Sequence, residues 1–213
     1  MTRRLALLLA VAALGGGLGR GRAQDLTLDE LLARFAALPG RECRFDEEKT
    51  LGTLLAVPLR SEGRILFDPP GRFLRQVERP EPSAMLIVGD RLRMRDAGGP
   101  VRELPIDRLP ALRGFLDSFR AVLAGDRAAL ERYYAVELRA ASPAGGWTLI
   151  LTPRQPDLAR LIATITMAGR GPRLDEMRVV EVTGDVTVTR FHDVDPDRRF
   201  SAAEQRRLFR LER

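Results

Sequence analysis

The sequence predicts one α+β domain in which a strongly curved, unclosed antiparallel β-sheet, or half-barrel, is covered by a helical lid. Its 213 residues suffice for one domain of ordinary size. A helical segment is followed by strand-like runs, two helical segments and further strand-like runs, without the βαβ alternation of a parallel sheet. A sheet of so many strands curls or splits, and the central helices are available to cover its concave face. We therefore expect an apolar cavity, either packed solid or partly open to a hydrophobic ligand.

The N-terminal stretch is expected to be an export signal outside this domain. Arg3 and Arg4 precede ten uncharged apolar residues, Leu5–Leu14, and a glycine-rich stretch ends at Gly21-Arg22-Ala23. This pattern is typical of a signal peptide cleaved after Ala23, which would leave residues 24–213 as a single exported domain. The alternative is a membrane anchor, but the apolar run has half of the roughly 20 residues that a spanning helix needs.

Composition argues against nucleic-acid binding and against catalysis. Four of the 35 basic residues and none of the 29 acidic residues lie within 1–23, which leaves 31 basic against 29 acidic residues in 24–213. A balance this even gives no support to a nucleic-acid partner. Cys43 is the single cysteine and His192 the single histidine, and neither lies in a nucleophile or metal-ligand pattern. We therefore expect no intramolecular disulfide, no metal site and no catalysis by Cys43 or His192.

A first helix is predicted over residues 27–38. Thr27 and Glu30 have the spacing of a capping box, in which each side chain bonds the other's backbone N–H. Apolar residues then recur at helical spacing until Pro39-Gly40 ends the pattern.

Residues 41–103 change to the period of two that is typical of strands. Gly89-Asp90 forms a two-residue turn suited to a tight hairpin. In the return strand Leu92 and Met94 face one way and the arginines between them face the other, which indicates an antiparallel sheet with one dry side. The strand-like runs are 43–47, 55–59, 65–67, 73–77, 84–88 and 91–95.

The remaining chain gives two helices and a second set of strands. Residues 158–168 can be read as helix or strand, and the β-branched run IATIT favours strand. The C-terminal stretch, 201–213, begins like a helix, and its pattern is also compatible with a last strand. The other predicted elements are helices over 107–124 and 127–133, strands at 135–140 and 147–151, and a hairpin of 177–182 with 185–191.

The expected cavity is lined by apolar side chains from both layers. On the sheet these residues are Phe45, Leu55, Val57, Ile65, Phe67, Leu92 and Met94, and on the central helix they are Leu112, Leu116 and Phe119.

Several segments resemble the LolA-like family of periplasmic outer-membrane lipoprotein carriers. The run GRILFDPPGRF, 63–73, is followed by Pro80 and the Gly89-Asp90 hairpin, in the order of that family. Later, 147-WTLILTPR-154 and 174-LDEMRVVEVTGDVTVTRF-191 look like its C-terminal half, so the resemblance spans about residues 26–200. It implies an unclosed antiparallel β-barrel whose helical lid covers a hydrophobic cavity for acyl chains, with no cofactor and no reaction.

One departure from the family pattern concerns the lid. The family has an arginine before the motif's proline, where it helps to latch the lid, and here that position is Pro69. The resemblance therefore implies a missing or substituted latch, with Arg72 and Arg75 as candidates. It also suggests a cargo other than ordinary lipoproteins, such as a glycolipid or an acylated pigment.

The prolines at 69 and 70 interrupt a strand-like run that resumes at Phe73. Proline cannot donate to a β-ladder, so these residues are expected at an edge or a bend. One interpretation places Phe73 at the cavity mouth, flanked by Arg72 and Arg75 as contacts for cargo or a membrane partner. The alternative is that Phe73 belongs to the core and the prolines mark a loop.

The resemblance implies a monomeric periplasmic carrier of acylated cargo, namely a lipoprotein, a glycolipid or another lipid. Its partners would be an inner-membrane exporter and an outer-membrane acceptor. An alternative is a lipid- or lipoprotein-sensing regulatory module of the same fold. Relatives of that kind carry an additional domain, for which the roughly 190 residues after the signal leave no room, so the carrier is favoured.

Overall fold

A computed structural model describes residues 26–52, 57–108, 113–114, 117, 120–122, 124–141 and 146–211. The helices are α1 (Leu28–Ala36), α2 (Arg127–Tyr133), α3 (Pro156–Ala159) and α4 (Ala202–Leu208), with a 3-10 turn at Ile106–Arg108. Residues 113–114, 117, 120–122 and 124 are also helical and are called the central helical segment. The strands are β1 (Arg41–Thr50), β2 (Leu59–Asp68), β3 (Arg72–Arg79), β4 (Ser83–Val88), β5 (Arg91–Arg95), β6 (Arg102–Pro105), β7 (Tyr134–Ala141), β8 (Gly146–Pro153), β9 (Ile162–Arg170), β10 (Arg173–Glu181) and β11 (Val186–Asp195).

All of these strands belong to one antiparallel sheet that does not close into a barrel. The order is β6-β5-β4-β3-β2-β1-β11-β10-β9-β8-β7, so β6 and β7 are the two edges. Strand β1 joins the halves, because it pairs with β2 on one side and with β11 on the other. The predicted fold class is confirmed. None of the described helices is long and apolar enough to cross a membrane.

The sheet curves around α1. The Phe35 ring contacts Trp147 of β8 edge to face, with centroids 5.7 Å apart. The Arg41 guanidinium of β1 also lies 5.0 Å from the Phe35 ring centroid. In a flat sheet the four strand spacings between β8 and β1 would separate these two side chains by about 19 Å. Both reach one ring, so the strands must wrap around the helix.

Helix α1 forms for the reasons that its sequence indicates. Thr27 Oγ1 accepts a hydrogen bond from the Glu30 N–H, and Glu30 Oε2 accepts from the Thr27 N–H, which confirms the capping box. Leu31, Leu32 and Phe35 are buried, as the apolar stripe predicts. At the other end the Phe35 carbonyl accepts from the Leu38 N–H at 3.3 Å and from Arg41 Nη2 at 2.6 Å, so the last turn of the helix is tied to β1.

Alternation along the strands gives the sheet a concave face and an outer face. The concave face carries the larger core, which includes the side chains of α1, Ala121 and Val122 of the central helical segment, and Leu130 of α2. The outer face carries a second cluster under the C-terminal residues, which sequence reasoning missed. Its buried members are Leu66, Leu74, Ala84, Leu86, Phe200, Phe209 and Leu211.

Ambiguous segments now have definite structures. Within 158–168 a short helix at Pro156–Ala159 ends before strand β9, so the strand prediction is confirmed from Ile162 onward. The C-terminal stretch is helix α4, capped by Ser201 and Glu204. Pro69 and Pro70 lie in the turn that joins β2 to β3, where no ladder hydrogen bond is needed.

Candidate functional site: the concave face and its lid

The structure brings together most of the described residues that were predicted to line the cavity. Phe45, Phe67 and Leu92 are at most 1% exposed, and Ile65 is 7% exposed. Met94 is partly buried against the same core. The register explains the grouping, because Cys43 faces Ile65 and Arg41 faces Phe67 across β1 and β2, so alternate residues share the concave face.

One predicted lining residue is wrong. Val57 was placed on a strand, but β2 begins only at Leu59, and the Val57 side chain is 73% exposed. It precedes the strand and therefore has no pleat to turn it inward. Leu55, Leu112, Leu116 and Phe119 lie outside the described residues, so their assignment stays a prediction.

Phe73 does not lie at an exposed rim. It is 4% exposed in the main core, and it faces Phe67 across the β2–β3 ladder. The interpretation of a mouth where charge could reach water is wrong, and the alternative of a core position is confirmed. The pattern of 73–77 already indicated a strand. Phe73 and Phe67 lie opposite each other across the ladder, and residues in this relation pack on the same face of a sheet.

Arg72 and Arg75 point to opposite faces of β3. Arg72 Nη1 donates to Asp68 Oδ2 at 2.7 Å, and alternation from buried Phe73 places this pair on the outer face. Arg75 lies on the concave face, where its guanidinium is 4.5 Å from the Phe45 ring centroid and Nη2 donates to Glu47 Oε1 at 2.8 Å. Arg75 alone of the two is therefore placed to meet a ligand on the concave side.

The central helical segment touches the hairpin turns through Arg120. Arg120 Nη1 donates to the Gly89 carbonyl at 3.4 Å. A Cβ added at Gly71 would lie 2.9 Å from Arg120 Nη2, so the guanidinium sits against the β2–β3 turn as well. This arginine was missed in the sequence, since it lies on the lid and the family pattern places its latch on the sheet.

An apolar hollow lies between α1 and strands β1, β2, β10 and β11. Its volume is about 30 Å³. Burial raises the pKa of the Cys43 thiol to about 12. Small-molecule sites commonly measure about 300 Å³ or more, so the hollow is too small for an acyl chain in this conformation. The lining residues are Phe35, Arg41, Cys43, Ile65, Phe67, Pro172, Leu174, Phe191 and Val194.

All four methionines after Met1 occupy the concave face. Met85 and Met94 face each other across β4 and β5, and Met167 and Met177 face each other across β9 and β10. Met167 is buried, whereas the other three are half-buried against the core. Methionine side chains are flexible and polarizable, so they can repack around apolar groups of different shape. This arrangement suits an adaptable apolar surface.

Among the described residues no group of three or more His, Cys, Asp or Glu is placed to hold a metal ion.

The sequence of this chain is similar to those of known lipoprotein carrier proteins. Residues 20–199 match the family model described as outer membrane lipoprotein carrier protein LolA-like. An outer-membrane lipoprotein carrier protein of Chromohalobacter salexigens is 29% identical over 140 residues, which cover 63% of this chain and 60% of that relative.

Two solved structures are also similar. A LolA superfamily protein from Nitrosomonas europaea is 12% identical with a TM-score of 0.44, covering 84% of this chain and 96% of that one. The MucA/MucB complex of Pseudomonas aeruginosa gives 14% identity and a TM-score of 0.49, covering 83% of this chain and 59% of the matched one. The family match extends over most of the sequence, and the chain belongs to the LolA-like family of outer membrane lipoprotein carrier proteins.

Proposed function

We propose that this protein is a periplasmic carrier that shields the acyl chains of a lipoprotein or lipid-like cargo against its concave face. It hands this cargo from an inner-membrane donor to an outer-membrane acceptor. Residues 1–23 act as the export signal and 24–213 as the carrier domain. The observation that carries the proposal is the concave face itself, where three half-buried methionines border a continuous apolar core beneath helices.

The energetics explain why a carrier needs such a surface. Burial of one methylene group contributes about 0.8 kcal/mol, so the exposure of a 16-carbon chain to water costs roughly 12 kcal/mol. A carrier removes this cost by burying the chain against an apolar surface. Release then requires an acceptor that binds the chain more favourably.

A carrier with this structure would be in a closed state. The apolar hollow of about 30 Å³ does not admit a chain, so α1 or the central helical segment must move away from the sheet during loading. Ala121 and Val122 are buried against the core, and their displacement would uncover the methionine-bearing strands.

Binding of a fluorescent long-chain fatty acid to the purified 24–213 chain tests the proposal. We expect saturable binding and protection of the probe from water, whereas no binding at concentrations where the chain stays monomeric contradicts a carrier. A second arm follows transfer of an acylated peptide from donor to acceptor vesicles with and without the protein. A sensing module of the same fold would bind the probe but would not accelerate that transfer.

A further inference from the structure

A polar cluster interrupts the apolar concave face. Glu47 lies at its centre on β1, with Ser61 opposite on β2 and Thr189 opposite on β11. Glu47 Oε1 accepts from Arg75 Nη2 at 2.8 Å and from Ser61 Oγ at 3.4 Å, and Oε2 accepts from Thr189 Oγ1 at 3.0 Å. Both carboxylate oxygens are thus occupied by donors from three different strands.

Arg75 has donors left over. A guanidinium carries five N–H groups, and among the described residues the structure gives Arg75 one hydrogen bond, to Glu47. Its side chain is 25% exposed, and its guanidinium carbon lies 4.5 Å from the Phe45 ring centroid. The remaining N–H groups are therefore held at the edge of the apolar surface and are open to an acceptor.

The surroundings define which acceptor fits. The Arg75 and Glu47 charges cancel, so the cluster offers hydrogen-bond donors without a net charge. Met85 is the cross-strand partner of Arg75, and Met94 is the next residue along that row, so apolar side chains border the cluster. A matching group is uncharged, accepts hydrogen bonds and is attached directly to a hydrocarbon chain. An acyl ester carbonyl has all three properties.

We propose that Arg75, held by Glu47, Ser61 and Thr189, forms a subsite that receives the ester carbonyl of a diacylglyceryl group whose chains lie on the concave face. The inference rests on the proposed carrier function and adds the chemical class of cargo. The same ester group occurs in free glycerolipids and in acylated proteins, so the subsite recognises how the chains are attached.

An ion pair that only stabilised the sheet would contribute little here. Both side chains are about a quarter exposed, so water screens the attraction between the two charges. An ion pair with only a structural role would give the protein no preference between cargo with and without carbonyl groups. The binding preference therefore distinguishes a structural ion pair from a carbonyl subsite.

The test compares dioctanoylglycerol with dioctylglycerol, which share chain number and differ in the ester carbonyls. We expect wild-type protein to bind the diester about tenfold more tightly, as one hydrogen bond to a charged donor would give. The double variant Arg75→Met/Glu47→Met removes both charges and should bind the two probes equally. A matched outer-face double variant, Arg64→Met/Gln76→Met, removes a hydrogen-bonded pair on neighbouring strands and should keep the preference.

The outcomes are separable. Equal binding of both probes by wild-type protein overturns the subsite and leaves the carrier intact, whereas binding of neither probe removes the carrier function together with the subsite. A preference that survives in the folded concave-face variant also overturns the proposal.

If that variant does not fold, infrared spectra of wild-type protein with a ¹³C-labelled ester carbonyl decide, since a hydrogen-bonded carbonyl absorbs at lower wavenumber than the same ester in hexane. A diacylglyceryl-cysteine peptide in the same spectra shows whether acylated peptide as well as free lipid reaches Arg75.

Discussion

Arg120 and Gly89 join the central helical segment to the β4–β5 hairpin through a side-chain hydrogen bond of 3.4 Å to the Gly89 carbonyl. The family pattern places a latching arginine on the sheet, at the position that Pro69 occupies here. In this chain the arginine comes from the helical side and the acceptor from a hairpin turn. The contact therefore connects the same two layers with donor and acceptor exchanged.

Arg120→Met should loosen the lid without unfolding the protein. The bond is single and long, so we expect the free energy of unfolding to fall by less than about 1 kcal/mol. Binding of a hydrophobic dye to the native protein should increase, because the concave face opens more often. Arg113→Met is the matched control, since Arg113 pairs with Asp117 inside the same segment. Equal dye binding by the two variants would show that Arg120 does not hold the lid.

Leu92→Ala and Val57→Ala should differ sharply in stability. Leu92 is fully buried in the main core, and loss of a buried leucine costs about 2–5 kcal/mol because a cavity is left behind. Val57 is 73% exposed, so its truncation should change the free energy of unfolding by less than about 0.5 kcal/mol. Urea denaturation measures both values. A large loss for Val57→Ala would mean that this residue is covered, as the sequence pattern had suggested.

The contrast between these residues shows what sequence patterns can predict. Leu92 and Met94 alternate with arginines after a two-residue turn, and this local pattern was enough to place them on the concave face. Val57 shows the same alternation, but the point at which a strand begins depends on pairing with a distant partner. Lys49 faces Leu59 at the end of the β1–β2 ladder, and no local signal marks that limit.

Side-chain partners were the least predictable part of the site. Glu47 and Thr189 are 142 positions apart in the chain, and their contact exists only because β1 pairs with β11. The cover of the outer face by Phe200 and Phe209 was missed for a related reason, since two phenylalanines beside a short helix do not indicate which face they will cover.

Glu204 should make stability depend on pH in the acidic range. The Ser201 backbone N–H and then the Arg198 guanidinium hold the pKa of Glu204 at about 2, below its ordinary value of 4.5. A depressed pKa gives a stabilisation that is present above pH 4.5 and is lost as the pH falls toward 2. Glu204→Gln should therefore lower Tm at pH 7, and the difference from wild type should shrink steadily below pH 4.5.

Glu81→Gln provides the control for that measurement, since Glu81 is exposed. It should leave Tm unchanged at every pH. A Tm difference for Glu204→Gln that is the same at pH 7 and pH 3 would contradict the linkage, because it would reflect lost packing and not lost ionisation.

Cys43 should react very slowly with thiol reagents in the native protein. Burial raises the pKa of its thiol to about 12, so only about one molecule in ten thousand carries the reactive thiolate at pH 8. The side chain also lines the closed apolar hollow beneath Phe35. Labelling with a chromogenic disulfide reagent at pH 8 measures the rate, which urea should increase steeply as the hollow opens.

The comparison for Cys43 is a variant with one exposed thiol, Cys43→Ser combined with Glu81→Cys. We expect this thiol to react roughly a thousand times faster at pH 8, since an ordinary cysteine has a pKa near 8.5. The two proteins should also differ in pH profile. The rate of the exposed thiol levels off above about pH 9, whereas the rate of Cys43 keeps rising toward pH 11 because its thiolate is still scarce there. A Cys43 rate that levels off at the same pH as the control would show that water reaches the hollow and that α1 does not seal this end of the concave face.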